Sequence, residues 1–306
     1  MTKLHYEELF KLYITKQLKK IEEEHKGVIT ANDKESLHQM RTAMRRLRSA
    51  LWIFKFFLSK SHVEAMRKSL QGFAQASGKA RDLDVETDYL VTLKKKLKTP
   101  GLKSGMDTLI CFLEAQRHSM QPEIAKALSR VEEEKTLKKI KKAIHRVSKS
   151  FNSEFLEQFL AIGQKRIIKR LNNMLGQKCV VYESHNTEEL HRLRIACKKL
   201  RYTLESFELM YGEPIVKYRD AAHMLQTLLG RIHDFDVWLA ALPRFVEKQK
   251  ADKDIIAAVN YFQEKCIHQR GQAYRRLVRY WEKLETQKIW DVLSAFIHER
   301  SQRRSH

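Results

Sequence analysis

The segment LHQMRTAMRRLRSALWIF at residues 37–54 returns as LHRLRIACKKLRYTLESF at residues 190–207, a constant offset of 153. The identical pairs are Leu37/Leu190, His38/His191, Arg41/Arg194, Ala43/Ala196, Leu47/Leu200, Arg48/Arg201, Leu51/Leu204 and Phe54/Phe207. A second match follows at an offset of 152, where GKARDLDV from Gly78 aligns with GRIHDFDV from Gly230. Two matches in the same order predict an internal duplication, with one half at residues 1–150 and the other at residues 151–306.

Both copies have the periodicity of an amphipathic helix. At about 100° per residue, the apolar side chains cluster in one arc and a row of cations lies in another. Ten glycines and four prolines in 306 residues predict long helices. Asn32–Glu35 and Asn186–Glu189 resemble capping boxes and predict where these two helices begin, and a helix from Val63 to Lys98 is expected to break near Gly78. Because no long stretch alternates with period two, we predict an all-α fold.

The cations of each copy form a row that contains no acid. The first basic stripe is His38, Arg41, Arg45 and Arg48, and the second basic stripe is His191, Arg194, Lys198 and Arg201. Arg46 and Lys199 lie further round each helix, past the histidine edge. Solvated helix faces usually pair Glu with Lys three or four residues apart, whereas like charges in a row repel each other. A bound anion that neutralises the row explains this pattern.

The composition agrees with an anionic partner. The net charge is +22, from 59 Lys and Arg against 37 Asp and Glu, which indicates nucleic acid, an acidic membrane surface or a phosphate polymer as the partner. Arginine matches phosphate oxygens with a planar fork, and lysine adds a point charge. Protonation of His38 and His191, near a pKa of about 6.5, would strengthen anion binding at mildly acid pH.

At these residues the sequence resembles the CHAD family, the conserved-histidine α-helical domains. The resemblance rests on HxxRxxxRRLR at residues 38–48 and HxxRxxxKKLRY at residues 191–202. It is supported by RDLDV at residues 81–85 and HDFDV at residues 233–237, and it covers essentially the whole chain. Two copies of each motif are more specific than one.

The resemblance implies two four-helix bundles related by a pseudo-twofold axis, with a basic channel between them that binds inorganic polyphosphate. Phosphate or sulfate ions would occupy the same site. The polyphosphate-binding positions carried over from the family are His38, Arg41, Arg45, Arg46, Arg48, His191, Arg194, Lys198, Lys199 and Arg201. Possible secondary positions are Lys79, Arg81, Arg231, His233, Lys16 and Arg166. His233 stands where the first copy has Arg81, which is a departure within the repeat.

An enzyme is the first competing hypothesis. His233-Asp234 is similar to the central pair of metal-dependent HD phosphohydrolases, and Asp-x-Asp is able to hold a divalent metal. Arg81, however, replaces the histidine in the first copy, and arginine is no metal ligand. For the four aspartates we therefore favour salt bridges that orient basic side chains: Asp82, Asp84, Asp234 and Asp236. Since no nucleophile arrangement is recognisable, we predict no catalytic residue, metal or cofactor.

Nucleic acid is the second competing partner. Single-strand binders interleave aromatic side chains with cations, whereas only Trp52 and Tyr202 lie near the stripes. A scaffold on polyphosphate granules, or one that binds an acidic protein, fits the main hypothesis equally well. A membrane role is disfavoured because the sequence has no apolar wedge and no apolar run of about 18 residues.

The cysteines suggest a compartment. Cys111, Cys179, Cys197 and Cys266 lack CxxC spacing and are expected to be buried and reduced. The amphipathic N-terminus contains acids and is unlike a secretion signal. We therefore predict a cytoplasmic location.

Overall fold

Helices contain nearly all of the chain that the structure describes. A computed structural model describes residues 3–30, 33–54, 59–149, 153–249 and 252–302. No described residue lies in a β-strand, which confirms the all-α prediction. The α-helices are α1 Lys3–Ile29, α2 Lys34–Phe54, α3 Lys60–Ala76, α4 Gly78–Lys94, α5 Pro100–Ser119, α6 Gln121–Glu133, α7 Thr136–Lys149, α8 Ser153–Leu175, α9 Thr187–Tyr211, α10 Val216–Gln249, α11 Lys253–Thr286 and α12 Ile289–Gln302. Two short 3-10 helices, Lys178–Tyr182 and Glu213–Ile215, flank α9.

These helices form two compact units. The first contains the described residues of Met1–Phe151 together with Lys253–Ala258, and the second contains those of Asn152–Asp252 and Val259–His306. This division differs from the predicted halves mainly in Lys253–Ala258, the first turns of α11. The four-helix count of each bundle and the channel between the halves stay predictions.

In the first unit, the apolar face of α2 supplies much of the core. α2 packs against α1 and α3, while α6 contacts α3, α7 contacts α1 and α4 contacts α5. Six side chains of α2 are at most 1% exposed: Leu37, Met40, Ala43, Met44, Leu47 and Leu51. Burying this face fixes the rotation of α2, so the first basic stripe has to lie away from the core.

The second unit uses α9 in the same way. α9 packs against α8 and α10, and α12 contacts α8. The corresponding side chains of α9 are also buried: Leu190, Leu193, Ala196, Cys197, Leu200 and Leu204. The same rotation of α9 follows, with the second basic stripe away from this core.

Helix limits repeat between the units as well. α7, Thr136–Lys149, corresponds to α12, Ile289–Gln302, at an offset of 153 at both ends. At the same offset, the start of α5 matches the start of α11 and the end of α6 matches its end. The pair α3 and α4 corresponds to the single helix α10, because the first unit breaks at Ser77. This correspondence supports the predicted duplication beyond the two sequence motifs.

Two caps anchor the basic helices. Asn186 Oδ1 accepts a hydrogen bond from Glu189 N at 3.2 Å, which confirms the predicted start of α9. At α2 the capping side chain is Asp33, whose carboxylate accepts from Ser36 N at 2.8 Å and from Glu35 N at 3.3 Å. Asn32, the predicted cap, lies outside the described residues. The helix therefore begins one residue later than the sequence suggested.

The cysteines differ in part from the expectation. All four are free, and Cys197 and Cys266 are buried as predicted. Cys111 and Cys179 are exposed, on α5 and in the first 3-10 helix. Their side chains take no part in a core, so the prediction that all four are buried is wrong for these two.

Candidate anion-binding site

The first basic stripe lies half-buried along α2. Arg41 is held by two hydrogen bonds: Nη1 donates to Ala74 O at 2.9 Å and to Ser77 Oγ at 2.6 Å. Ser77 is buried at the break between α3 and α4, and its hydroxyl donates to Phe73 O at 2.6 Å. Arg41 therefore ties α2 to this break, while Arg48 leaves a buried Nε with no hydrogen-bond partner among the described residues.

The second basic stripe lies half-buried along α9. Arg194 Nε is buried and has no hydrogen-bond partner in the part of the chain that the structure describes. It lies 3.7 Å from the point that a Cβ on Gly230 would occupy, so this guanidinium packs against α10. Arg201 donates to Gln226 Oε1 at 3.3 Å and lies over the ring of Tyr202, 5.5 Å from its centroid. Contacts with α10 and with Tyr202 hold these side chains near the helix surface.

Two histidines of the second unit meet directly. His191 Nδ1 and His233 Nδ1 are 3.2 Å apart, with ring centroids separated by 4.3 Å and planes inclined by 44°. Only one of the two nitrogens carries the bridging proton, because two N–H groups would face each other otherwise. In the first unit, Arg81 lies close enough to His38 to lower its pKa. In each unit, the first residue of the RDLDV or HDFDV motif, Arg81 or His233, thus lies beside the histidine of the stripe.

Burial and neighbouring cations lower the pKa of these histidines and so favour their neutral form. Burial lowers the pKa of His38, with Arg81 adding to the effect, and burial lowers the pKa of His191, with Arg194 and Lys198 adding to it. Burial is also the main cause that lowers the pKa of His233 to about 4, followed by Arg194 and His191, against which Asp236 acts weakly. A bound anion would offset both causes and favour the charged rings.

The His233→Gln substitution is expected to change how stability depends on pH. The pKa of His233 is lowered from 6.5 to about 4 in the folded chain. Between these pH values the unfolded chain binds more protons, so the folded chain loses stability as pH falls. The variant lacks this loss. Its free energy of unfolding relative to wild type should therefore rise by about 1–2 kcal/mol as pH falls from about 6.5 to about 4, after allowance for solvent screening. Urea unfolding of both proteins across this range measures the difference.

Glu86 contributes to the pH dependence of stability in the opposite direction from His233. Burial raises the pKa of this carboxyl group to about 7, so Glu86 alone would make the folded chain more stable as pH falls. Glu86→Gln is the matched control and should shift the pH dependence in the opposite direction from His233→Gln. A constant stability difference between His233→Gln and wild type at every pH would contradict the assignment.

Each unit also contains one Asp–Arg ion pair of the second motif. Arg117 Nε donates to Asp84 Oδ1 at 2.9 Å, and the two side chains are 6% and 0% exposed. Asp236 pairs with Arg270, whose Nη2 also donates to Ser184 O at 2.9 Å. Arg117 and Arg270 are separated by the repeat offset of 153. They are equivalent residues that sequence reasoning missed, and an extension of the repeat alignment would have found them.

These pairs revise the expected role of the aspartates. Arg117 and Arg270 form the ion pairs with the second aspartate of each motif, and Arg81 acts on Asp84 through its charge alone. Burial raises the pKa of Asp84 in spite of Arg117, because its Oδ2 is buried without a hydrogen-bond partner among the described residues. The first aspartates differ: Asp82 is exposed and Asp234 is half-buried.

The remaining candidates are exposed or half-buried. Arg46 is half-buried and Lys199 is exposed, and Lys79 and Arg231 are both exposed one residue after Gly78 and Gly230. Lys16 is exposed on α1 and Arg166 is half-buried on α8. No hydrogen bond or ion pair joins Lys16 to a described stripe residue.

Two other kinds of site are absent from the described residues. Within the described ranges, His, Cys, Asp and Glu form no group of three or more that could hold a metal ion. None of the described helices is both long enough and apolar enough to cross a bilayer.

The fold and the stripes define a helical protein of two corresponding units, each with one half-buried basic helix. The sequence matches the CHAD domain family over residues 12–243, so the chain belongs to that family. No match was found among curated proteins.

Two solved structures share the fold. The CHAD domain from the plant Ricinus communis is similar with a TM-score of 0.59 and 22% identity, over 90% of this chain and 91% of that one. PptA from Streptomyces chartreusis is similar with a TM-score of 0.58 and 13% identity, over 90% of this chain and 99% of that one. At these identities the likeness establishes the architecture alone.

Proposed function

We propose that this CHAD domain binds inorganic polyphosphate through its two basic stripes and does not catalyse a reaction. The proposal rests on the environment of the stripe cations. Their side chains are half-buried, and neither stripe contains an acidic residue. Arg48 in one unit and Arg194 in the other each have a buried Nε that lacks a hydrogen-bond partner among the described residues. Leaving such a group unsatisfied costs about 1–3 kcal/mol, which a phosphate oxygen would offset.

The second aspartate of each Asp-x-Asp motif is engaged by an arginine outside the stripes. Asp84 and Asp236 are paired with Arg117 and Arg270. These ion pairs also weaken the metal-dependent alternative, because Asp236 would have to give up a guanidinium before it could hold a cation. His233 is likewise held against His191. A binding role needs no such rearrangement.

The length of the stripes favours a linear polymer over a single phosphate. At a rise of about 1.5 Å per residue, the row from His38 to Arg48 extends about 15 Å along α2. The row from His191 to Arg201 has the same length on α9. Successive cations on a helix face suit successive phosphates of a flexible chain, and we propose the family's channel between the halves as its path. Binding to polyphosphate granules is compatible with this role.

Raising the salt concentration is expected to weaken polyphosphate binding steeply. Each phosphate that a cation neutralises releases counterions, so about six contacts should lower the affinity roughly a thousandfold between about 50 and 200 mM salt. Titration of medium-chain polyphosphate at several salt concentrations measures the slope. The Arg194→Gln variant should show a shallower slope by about one contact. An affinity that is independent of salt would contradict electrostatic capture.

A further inference from the structure

Arg48 ends the first basic stripe beside a second guanidinium. Arg67, on α3, lies close enough to lower the pKa of Arg48, although burial is the larger cause. The Nε atoms of both residues are buried without a hydrogen-bond partner among the described residues. The acid that contacts Arg67 is Glu64, at 3.4 Å from Nη1, and its side chain is 72% exposed. Such an exposed pair contributes little.

The second unit has the same two arginines. At the repeat offsets of 153 and 152, Arg48 corresponds to Arg201 and Arg67 to Arg219. Burial supports the second alignment, since Val63, Met66 and Phe73 on α3 match residues of α10 and its flank that are equally buried, namely Ile215, Tyr218 and Leu225. The two arginine pairs are therefore equivalent positions of the repeat.

Their surroundings differ in charge. Arg219 Nη1 donates to Glu208 Oε2 at 2.5 Å, and its Nη2 donates to Asp220 Oδ1 at 2.8 Å. The first unit has Lys55 where Glu208 stands, outside the described residues, and Lys68 where Asp220 stands. Lys68 is exposed on α3. Among the described residues, a lysine thus stands in the first unit where Asp220 pairs with Arg219 in the second.

We infer that Arg48 and Arg67 form an additional phosphate-binding position in the first unit. The second unit lacks it because Glu208 and Asp220 form ion pairs with Arg219. This inference rests on the proposed function and makes the two units unequal. Two guanidiniums with free N–H groups match the oxygens of one phosphate, and Lys68 adds charge nearby. The first unit is then the stronger half of the polyphosphate site.

Reciprocal substitutions test the inequality. Arg67→Gln should raise the Kd for medium-chain polyphosphate about tenfold, as expected for the loss of charge-assisted hydrogen bonds, while Arg219→Gln should leave it nearly unchanged. Lys68→Asp should weaken binding to a similar extent, because the new carboxylate would pair with Arg67 as Asp220 pairs with Arg219. Asp220→Lys should tighten binding. Lys68→Asp changes an exposed side chain and keeps the test available if Arg67→Gln folds poorly, which circular dichroism would reveal.

The outcomes separate this inference from the function on which it rests. Loss of affinity in Arg67→Gln and Lys68→Asp, without loss in Arg219→Gln, supports it. Equal effects at Arg67 and Arg219, or no effect at Arg67, would overturn it, and the proposed function would survive if Arg194→Gln still weakened binding. A wild-type chain that does not bind polyphosphate would overturn both.

Discussion

The Arg117→Ala substitution is expected to lower the free energy of unfolding by about 3–5 kcal/mol at neutral pH, because it leaves a buried carboxylate without its counter-ion. Asp84 is fully buried, and Arg117 is its hydrogen-bond donor among the described residues. Burial already raises the pKa of Asp84, and removing Arg117 raises it further. The loss should therefore diminish as pH falls and Asp84 becomes protonated. Urea unfolding at several pH values measures both effects.

Two further variants control for the loss of side-chain volume. Arg270→Ala removes the equivalent residue of the second unit, where both partners are 18% exposed and water replaces part of the interaction. We expect a smaller loss there, about 1–3 kcal/mol. The double variant Asp84→Leu/Arg117→Met should be close to wild type, since an apolar pair of similar volume removes the charge as well. If Arg117→Ala cost less than about 1 kcal/mol, the ion pair would have no structural role.

Neutralising both basic stripes is expected to abolish most of the affinity for polyphosphate. A variant with Arg41, Arg45, Arg194 and Lys198 replaced by glutamine should raise the Kd at least about a hundredfold, allowing for non-additive contributions of about 1–2 kcal/mol each. Glutamine at position 41 keeps a donor for Ala74 O and Ser77 Oγ, the groups that Arg41 contacts. Equilibrium binding at fixed salt, with thermal unfolding as the test of folding, measures the effect.

The chain offers a control with the same change in charge. Four lysines of α7 are exposed, and replacing them with glutamine removes four positive charges outside the stripes: Lys138, Lys139, Lys141 and Lys142. This variant should bind polyphosphate within a few-fold of wild type, since exposed charges that do not contact the bound polymer are largely screened. Equal losses in the two variants would mean that net charge, rather than the stripes, determines binding.

Periodicity predicted the fold and the stripes because both depend on local sequence. The separate apolar and basic arcs of α2 and α9 follow from helix geometry, and the burial of the apolar side chains confirms them. The break at Ser77 was expected near Gly78, and Asn186 was recognised as a cap. At α2 the cap is Asp33, a residue of the same capping class next to the predicted Asn32, and the sequence alone does not distinguish two adjacent candidates.

The contacts within the site depend on packing between helices and were beyond the sequence. His191 and His233 are 42 residues apart, and their contact requires a particular register of α9 on α10. Arg117 and Arg270 correspond at the repeat offset of 153, but that correspondence alone does not show that they pair with the second aspartate of each Asp-x-Asp motif. The charge difference around Arg67 and Arg219 depends on the alignment of α3 with α10, which the burial of both helices supports.

Competition between polyphosphate and single-stranded RNA tests the choice of partner most directly. The chain is loaded with a labelled single-stranded RNA at fixed salt, and medium-chain polyphosphate is added while the RNA release is followed by fluorescence anisotropy. We expect polyphosphate to displace the RNA at lower phosphate concentration than unlabelled RNA does, because the stripes offer cations without an aromatic stacking platform. RNA that resists displacement by polyphosphate would contradict the account and identify the protein as a nucleic-acid binder.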